Sequence, residues 1–204
     1  MEVARLTQKA VNKAARIIKN GGVVIFPTDT VYGFLADAAN KKAVEKIFKL
    51  KKRSRQKPLP VFVRDFKMAK DLAVIDKNQE KILKRYWFTP TPKFQRNLWC
   101  GGKYTFVLKR KYKTKLYGVA KDTIALRIPK YNFLNNLLDK INKPLVQTSV
   151  NISGQPTLTK IRDIINQFGR TGLPMLIIDA GNLPKRKPSV IIDLTKDKEQ
   201  ILRK

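Results

Sequence analysis

Val23-Val24-Ile25-Phe26 is an apolar run closed by Pro27 and approached through Asn20-Gly21-Gly22. Four apolar residues in a row, bounded by breakers, read as a buried strand, which commits the chain to a sheet. The residues that follow, Thr28-Asp29-Thr30-Val31-Tyr32-Gly33, put two hydroxyls and a carboxylate in a loop at the strand's carboxyl end. Open α/β sheets present ligands at that edge. The same residues also read as a turn held by Asx-type hydrogen bonds.

The rest of the pattern interleaves helices with strands. Val11, Ala14, Ala15 and Ile18 fall at helical spacing within residues 8–20, as do Val44, Ile47 and Phe48 within 40–52. Further helices are expected at 66–73, 76–87, 131–141 and 159–168. Strands are expected at 23–27, 59–63, 104–108, 123–128, 145–148, 175–178, 190–194 and 200–202. Residues 88–103 carry two prolines and two glycines and read as a loop. Because strands and helices do not alternate strictly, the fold class is α/β with α+β character. One twisted mixed parallel and antiparallel sheet, flanked by helices, is expected. With 204 residues, 43% of them hydrophobic, the expectation is a single domain over 1–204.

Composition narrows the chemistry. The chain has no histidine and one cysteine, Cys100. Histidine-dependent nucleophilic triads, imidazole bases, disulfide frameworks and cysteine-cluster metal sites are thereby excluded. No apolar run approaches the ~20 residues that span a bilayer, and the first residues lack a signal-peptide core, so the cytoplasm is the expected location. Lys and Arg total 44 against 15 acids, a formal charge of +29. That field suits a polyanionic partner, nucleic acid or nucleotide phosphate, although basic residues spread along the whole chain also serve simply as a solvated surface.

Three more segments carry polar groups where a site would need them. Lys51-Lys52-Arg53 with Lys57-Pro58-Leu59 runs from a helix end into a strand. Thr148-Ser149-Val150-Asn151-Ile152-Ser153-Gly154 follows a strand, and Pro188-Ser189 enters a late one. Singly they read as a basic helix end, a Ser/Asn turn and a strand start. In this order with Pro27–Gly33, from about residue 8 to residue 203, they resemble the YrdC-like family. Its best-defined activity is threonylcarbamoyl-AMP synthesis.

The resemblance implies a nucleotidyltransferase that condenses L-threonine, bicarbonate and ATP into L-threonylcarbamoyladenylate and pyrophosphate, for N6-threonylcarbamoyladenosine formation at A37 of tRNA. Threonine would carboxylate on its amine, and the carbamate would attack the α-phosphate. An anion meeting a polyanion needs a cationic site that holds both in line. Arg, Lys and Ser without histidine suit that task.

Carried over by position, the catalytic cations are Lys51, Arg53 and Arg127. ATP contacts fall at Arg53, Lys57, Thr123, Gln147 (mainly through its backbone), Ser149, Asn151, Thr157 and Arg203. Threonine contacts fall at Thr30, Phe62, Arg127 and Ser189. Mg2+ is expected with ATP, Asp29 is its one candidate outer-shell partner, and no protein metal ligand is assigned. Expected partners are tRNA or double-stranded RNA and downstream threonylcarbamoyl transferase proteins, with no membrane.

The chain departs from the family pattern in three places. Phe62 stands where several members carry a polar threonine contact, often histidine. Trp99-Cys100-Gly101-Gly102-Lys103-Tyr104-Thr105 replaces the usual Trp-Pro-Gly-Pro segment, after an insertion around residues 90–97. Val190 follows Ser189 in place of Thr. With the sequence read to Lys204, the expectation is a short form without the additional C-terminal domain of longer members. Two other readings stay open: a non-catalytic double-stranded RNA or tRNA-binding protein using the same basic concavity, and a carbamoyltransferase-type maturation domain. The second sits poorly with one cysteine and no histidine.

Overall fold

A computed structural model describes residues 1–88, 103–173, 175–184, 186, 188–196 and 198–203. The loop expected at 88–103 and the altered 99–105 segment therefore lie mostly outside the described residues. Among the described residues ten strands form one sheet: β1 (Glu2–Arg5), β2 (Val23–Pro27), β3 (Tyr32–Asp37), β4 (Val61–Phe62), β5 (Tyr104–Lys109), β6 (Thr123–Arg127), β7 (Leu145–Ser149), β8 (Met175–Asp179), β9 (Val190–Asp193) and β10 (Gln200–Arg203). Their spatial order is β1-β8-β2-β3-β7-β4-β6-β5-β9-β10. The pairs β1/β8, β2/β8, β4/β6 and β5/β9 are parallel, and the other five are antiparallel. The sheet is mixed, as the irregular alternation of elements predicts.

Among the described residues six helices pack on it: α1 (Gln8–Lys19), α2 (Lys41–Lys51), α3 (Phe66–Leu72), α4 (Lys77–Phe88), α5 (Asn132–Ile141) and α6 (Ile161–Phe168). Their starts follow local chemistry. The Thr7 hydroxyl and the Asn40 and Asp65 side chains each accept a first-turn N–H of α1, α2 and α3. At the other end of α2, Lys52 adopts a left-handed conformation (φ 48°) that turns the chain towards Arg53.

Strand alternation sends successive side chains to two separate cores. Val23 and Ile25 of β2 face the core built with α2, α3, α4 and α6, whereas Val24 and Phe26 face the core built with α1 and α5. α1 lies on β2, β3 and β8 with α5 beside it. Among the described residues, helix cover on that second face stops there. Past Leu145 of β7, and over β6, β5, β9 and β10, the same face turns to a cavity that no described helix residue lines. Thr105 and Val107, then Thr123, Ala125 and Arg127, then Gln147 and Ser149 line a cavity, while Phe106, Leu108, Ile124, Leu126 and Val146 point the opposite way into the larger core.

Two strands were not legible in the sequence, β1 and β3, and one is shorter than expected. β4 is only Val61–Phe62, because Pro58 and Pro60 have no N–H to give a ladder.

Candidate functional site

The cavity has a volume of about 360 Å³, within the range of small-molecule sites, and no acidic side chain lines it among the described residues. Arginine supplies its charge and Ser/Thr its hydroxyls. Arg53, Arg127, Arg186 and Arg203 come from four separate stretches of sequence, and Thr30, Thr105, Thr123, Ser149, Thr157 and Ser189 lie between them.

Thr30 is set by a turn. The Thr28 hydroxyl accepts the N–H groups of Thr30 and Val31 at 3.1 and 3.2 Å and donates to the Val31 carbonyl at 2.7 Å. It also lies 3.0 Å from the Thr30 hydroxyl. The turn and the site are one geometry: local hydrogen bonds fold the loop so that Thr30 meets the cavity.

Arg127 is a β6 residue with its side chain 3% exposed, and its Nη2 donates to Asp29 Oδ1 at 2.5 Å. Parallel pairing sets Phe62 of β4 opposite it, with the guanidinium carbon 5.4 Å from the ring centroid. Burial lowers the Arg127 pKa, and the Asp29 charge opposes that shift. Arg53 donates from Nε to the Lys57 carbonyl (2.8 Å) and from Nη2 to the Pro58 carbonyl (3.0 Å), which locks its fork beside the cavity. Arg203 donates to the Ser189 carbonyl from Nε (3.0 Å) and Nη2 (2.7 Å), and the Ser189 hydroxyl lies 2.9 Å from that of Thr105. The β9–β10 register shifts between Ile201 and Arg203, so Leu202 and Arg203 both reach the cavity where strict alternation would admit one.

Lys51 sits behind this wall, 2% exposed. Its ammonium donates to the Ser149 carbonyl (2.6 Å), the Asn151 carbonyl (3.0 Å) and Asn151 Oδ1 (2.7 Å). The Ser149 hydroxyl donates to the same Oδ1 at 2.7 Å, and Asn151 Nδ2 donates to the Ile152 and Gln155 carbonyls. Desolvation first, then the charge of Arg53, pulls the Lys51 pKa down to about 8.

A family model covering Sua5, YciO and YrdC proteins, described as "Telomere recombination", matches residues 16–204. The chain belongs to this family. Within reach of it lies the threonylcarbamoyl-AMP synthase of Pyrococcus abyssi, 31% identical over 201 residues, covering 98% of this chain and 55% of that protein. A Methanocaldococcus jannaschii protein given the same name provisionally is 35% identical over 181 residues, covering 89% of this chain and 78% of its own length. Among solved structures, P. abyssi Sua5 complexed with L-threonine superposes with a TM-score of 0.81 at 30% identity, covering 99% of this chain and 56% of that one. E. coli YciO gives 0.80 at 25% identity, covering 99% and 92%. The chain thus spans about half the length of the Pyrococcus protein.

Of the positions singled out by resemblance to the YrdC-like family, Thr30, Arg53, Thr123, Arg127, Gln147, Ser149, Thr157, Ser189 and Arg203 all line the one cavity. Four do not. Lys57 is exposed and meets the site only through its carbonyl on Arg53. Phe62 is fully buried beside Arg127 and presents no surface to the cavity. Lys51 and Asn151 are buried behind Ser149, their polar groups occupied with each other and with backbone. Sequence reasoning missed Thr105, whose alternation with Val107 on β5 was the available signal, and the pairing of Asp29 with Arg127. It also missed Arg186, one of three consecutive cations at 185–187 and indistinguishable there in so basic a chain.

Among the described residues no group of three or more His, Cys, Asp or Glu side chains could hold a metal, and no helix is long and apolar enough to cross a membrane.

Proposed function

We propose that this chain makes L-threonylcarbamoyladenylate from L-threonine, bicarbonate and ATP, releasing pyrophosphate, with residues 1–204 acting as one domain. The observation that carries this reading is the convergence of four arginines with the hydroxyls of Thr30, Thr105, Thr123, Ser149, Thr157 and Ser189 on a cavity that no acidic side chain lines among the described residues. It is supported by the names of the relatives and by the L-threonine in the Sua5 structure.

The amine of threonine takes up bicarbonate with loss of water. A carbamate oxygen then bonds to the α-phosphorus as the bond to pyrophosphate breaks. Negative charge is present on nucleophile, electrophile and leaving group alike, so fixed cations lower the barrier chiefly by positioning and by meeting that charge. In this reading Arg127 and the hydroxyls of Thr30 and Ser189 hold the amino acid. Arg53, Arg203, Thr123, Ser149 and Thr157 receive the nucleotide. Lys51 and Asn151 act behind Ser149 rather than on the ligand. Mg2+ would enter with the nucleotide as part of the substrate and would offset triphosphate charge, with no side chain of this chain assigned to hold it.

The product would serve N6-threonylcarbamoyladenosine formation at A37 of tRNA in the cytoplasm, through downstream threonylcarbamoyl transferase proteins. The charge of +29 suits direct contact with tRNA. Purified protein with ATP, Mg2+ and bicarbonate should release pyrophosphate only when L-threonine is present. Turnover that is absent, or equal with glycine or no amino acid, rejects the synthase. Salt-sensitive tRNA binding without nucleotide binding would instead select the non-catalytic RNA-binding reading.

A further inference from the structure

Asp29 is placed to do more than balance a charge. One carboxylate oxygen accepts from Arg127 Nη2, and the other accepts the backbone N–H of Lys130 at 3.0 Å. The carboxylate therefore ties the tip of the arginine to the chain three residues beyond it. The Asp29 carbonyl accepts from Arg186 Nη1 at 2.9 Å, joining the same loop to a further wall of the cavity.

Arg127 is engaged by Asp29 through a single nitrogen, not as a two-point fork, and its buried Nε has no hydrogen-bond partner among the described residues. A guanidinium has five N–H groups in one plane. Held at one corner by Asp29, with the Phe62 ring close by, it keeps donors available to a second acceptor in the cavity it lines. A buried arginine without its carboxylate would be driven towards solvent and would repel Arg203, whose pKa is lowered partly by the Arg127 charge.

We propose that Asp29 is a positioning residue for amino-acid recognition, acting through Arg127: it fixes the guanidinium in the orientation that receives the substrate carboxylate. The identity of that substrate rests on the synthase reading; the role of Asp29 in holding Arg127 does not.

The test uses the full chain with Asp29→Asn and Asp29→Glu. L-threonine binding is measured by calorimetry in the presence of a non-hydrolysable ATP analogue, and the analogue's own binding is measured separately. Asp29→Asn should weaken L-threonine by about 10- to 100-fold and the analogue by less than about threefold. In turnover it should raise the KM for threonine far more than it lowers kcat, and Asp29→Glu should recover most of the loss. Unchanged threonine affinity, or equal loss of both ligands, overturns the proposal. Should Asp29→Asn not fold, Asp29→Ser carries the same comparison, and failure of both to fold overturns a positioning role in favour of a structural one. If the parent chain binds no L-threonine, the synthase reading fails on its own. Asp29 is then judged by the crystal structure of the folded variant: Arg127 displaced from the Phe62 ring supports the proposal, and Arg127 unmoved overturns it.

Discussion

Lys51 carries three N–H groups, and Ser149 and Asn151 accept all three. The resemblance placed it among the catalytic cations, yet a lysine's sequence position does not say where its protons go. Its pKa of about 8 lies well below the ordinary 10.5, so the sign of its pH dependence follows. Below pH 8 the ammonium supplies three donors to three acceptors; above it the neutral amine has two, and the Ser149 loop loses a tie. Nucleotide-dependent turnover should therefore fall as pH rises through about 8, and Lys51→Met should be weaker throughout and lack this alkaline limb. The folded-state pKa is depressed, so between about 8 and 10.5 the unfolded chain holds a proton that the folded chain does not. This group's contribution to stability thus rises with pH in that window, opposite to its effect on turnover. A pH–rate profile and a pH series of melting curves check both halves. The cavity arginines divide differently. Arg127→Ala should chiefly raise the threonine requirement and Arg53→Ala the ATP requirement, each by the ~1.5–3 kcal/mol of a charge-assisted contact. Steady-state kinetics in which both variants match the parent would remove the assignment.

At the scale of elements, the helices were legible because each shows a 3.6-residue apolar stripe and most open on a recognisable cap, as Thr7 and Asn40 do. The missed strands had physical reasons. β1 is a four-residue edge strand, Glu2-Val3-Ala4-Arg5, too short and polar for a period-2 signal. β3 begins inside the conspicuous loop, at Tyr32-Gly33, where glycine argues against a strand. A Cβ at Gly33 would meet the Thr148 carbonyl oxygen and the Thr28 methyl at 3.4 Å, ordinary van der Waals contact, so the glycine marks no close backbone approach. Nor could the sequence say that cover on one sheet face would stop half-way, because that depends on where α1 and α5 pair with each other. This division predicts that stability and activity separate. Leu138 is fully buried in the core built with α1 and α5 and is not one of the residues lining the cavity. Leu138→Ala should cost ~2–5 kcal/mol in urea unfolding. Turnover per folded molecule should stay within about twofold, as expected of sites that share no partner. Loss of turnover in proportion to the stability lost, in protein that is still folded, would contradict that separation.

For the molecule as a whole, the excess of cations sets the balance. With 44 basic side chains and 15 acidic ones, most cations have no carboxylate to meet, and the net charge of +29 repels itself in the compact state. The surface ion pairs observed, such as Lys84 and Lys70 sharing Glu80, are exposed contacts of the kind worth ~0–1 kcal/mol each. Salt weakens both kinds of interaction, but there are far more unpaired repulsions than bridges. At ~10 mM ionic strength the Debye length is ~30 Å, about the width of a small domain, so charges on opposite sides still interact; at ~150 mM it is ~8 Å and only neighbours do. Screening should thus remove more destabilisation than stabilisation. The Tm, followed calorimetrically without any nucleic acid, should rise by several degrees between these two salt concentrations (roughly 1–2 kcal/mol for a chain of this size). A constant or falling Tm would mean that bridges outweigh repulsion and that the basic surface is arranged with internal partners. A rise would mean that this surface remains short of counter-charge, and tRNA phosphates would supply it by the same electrostatics, with an affinity that falls steeply over the same salt range.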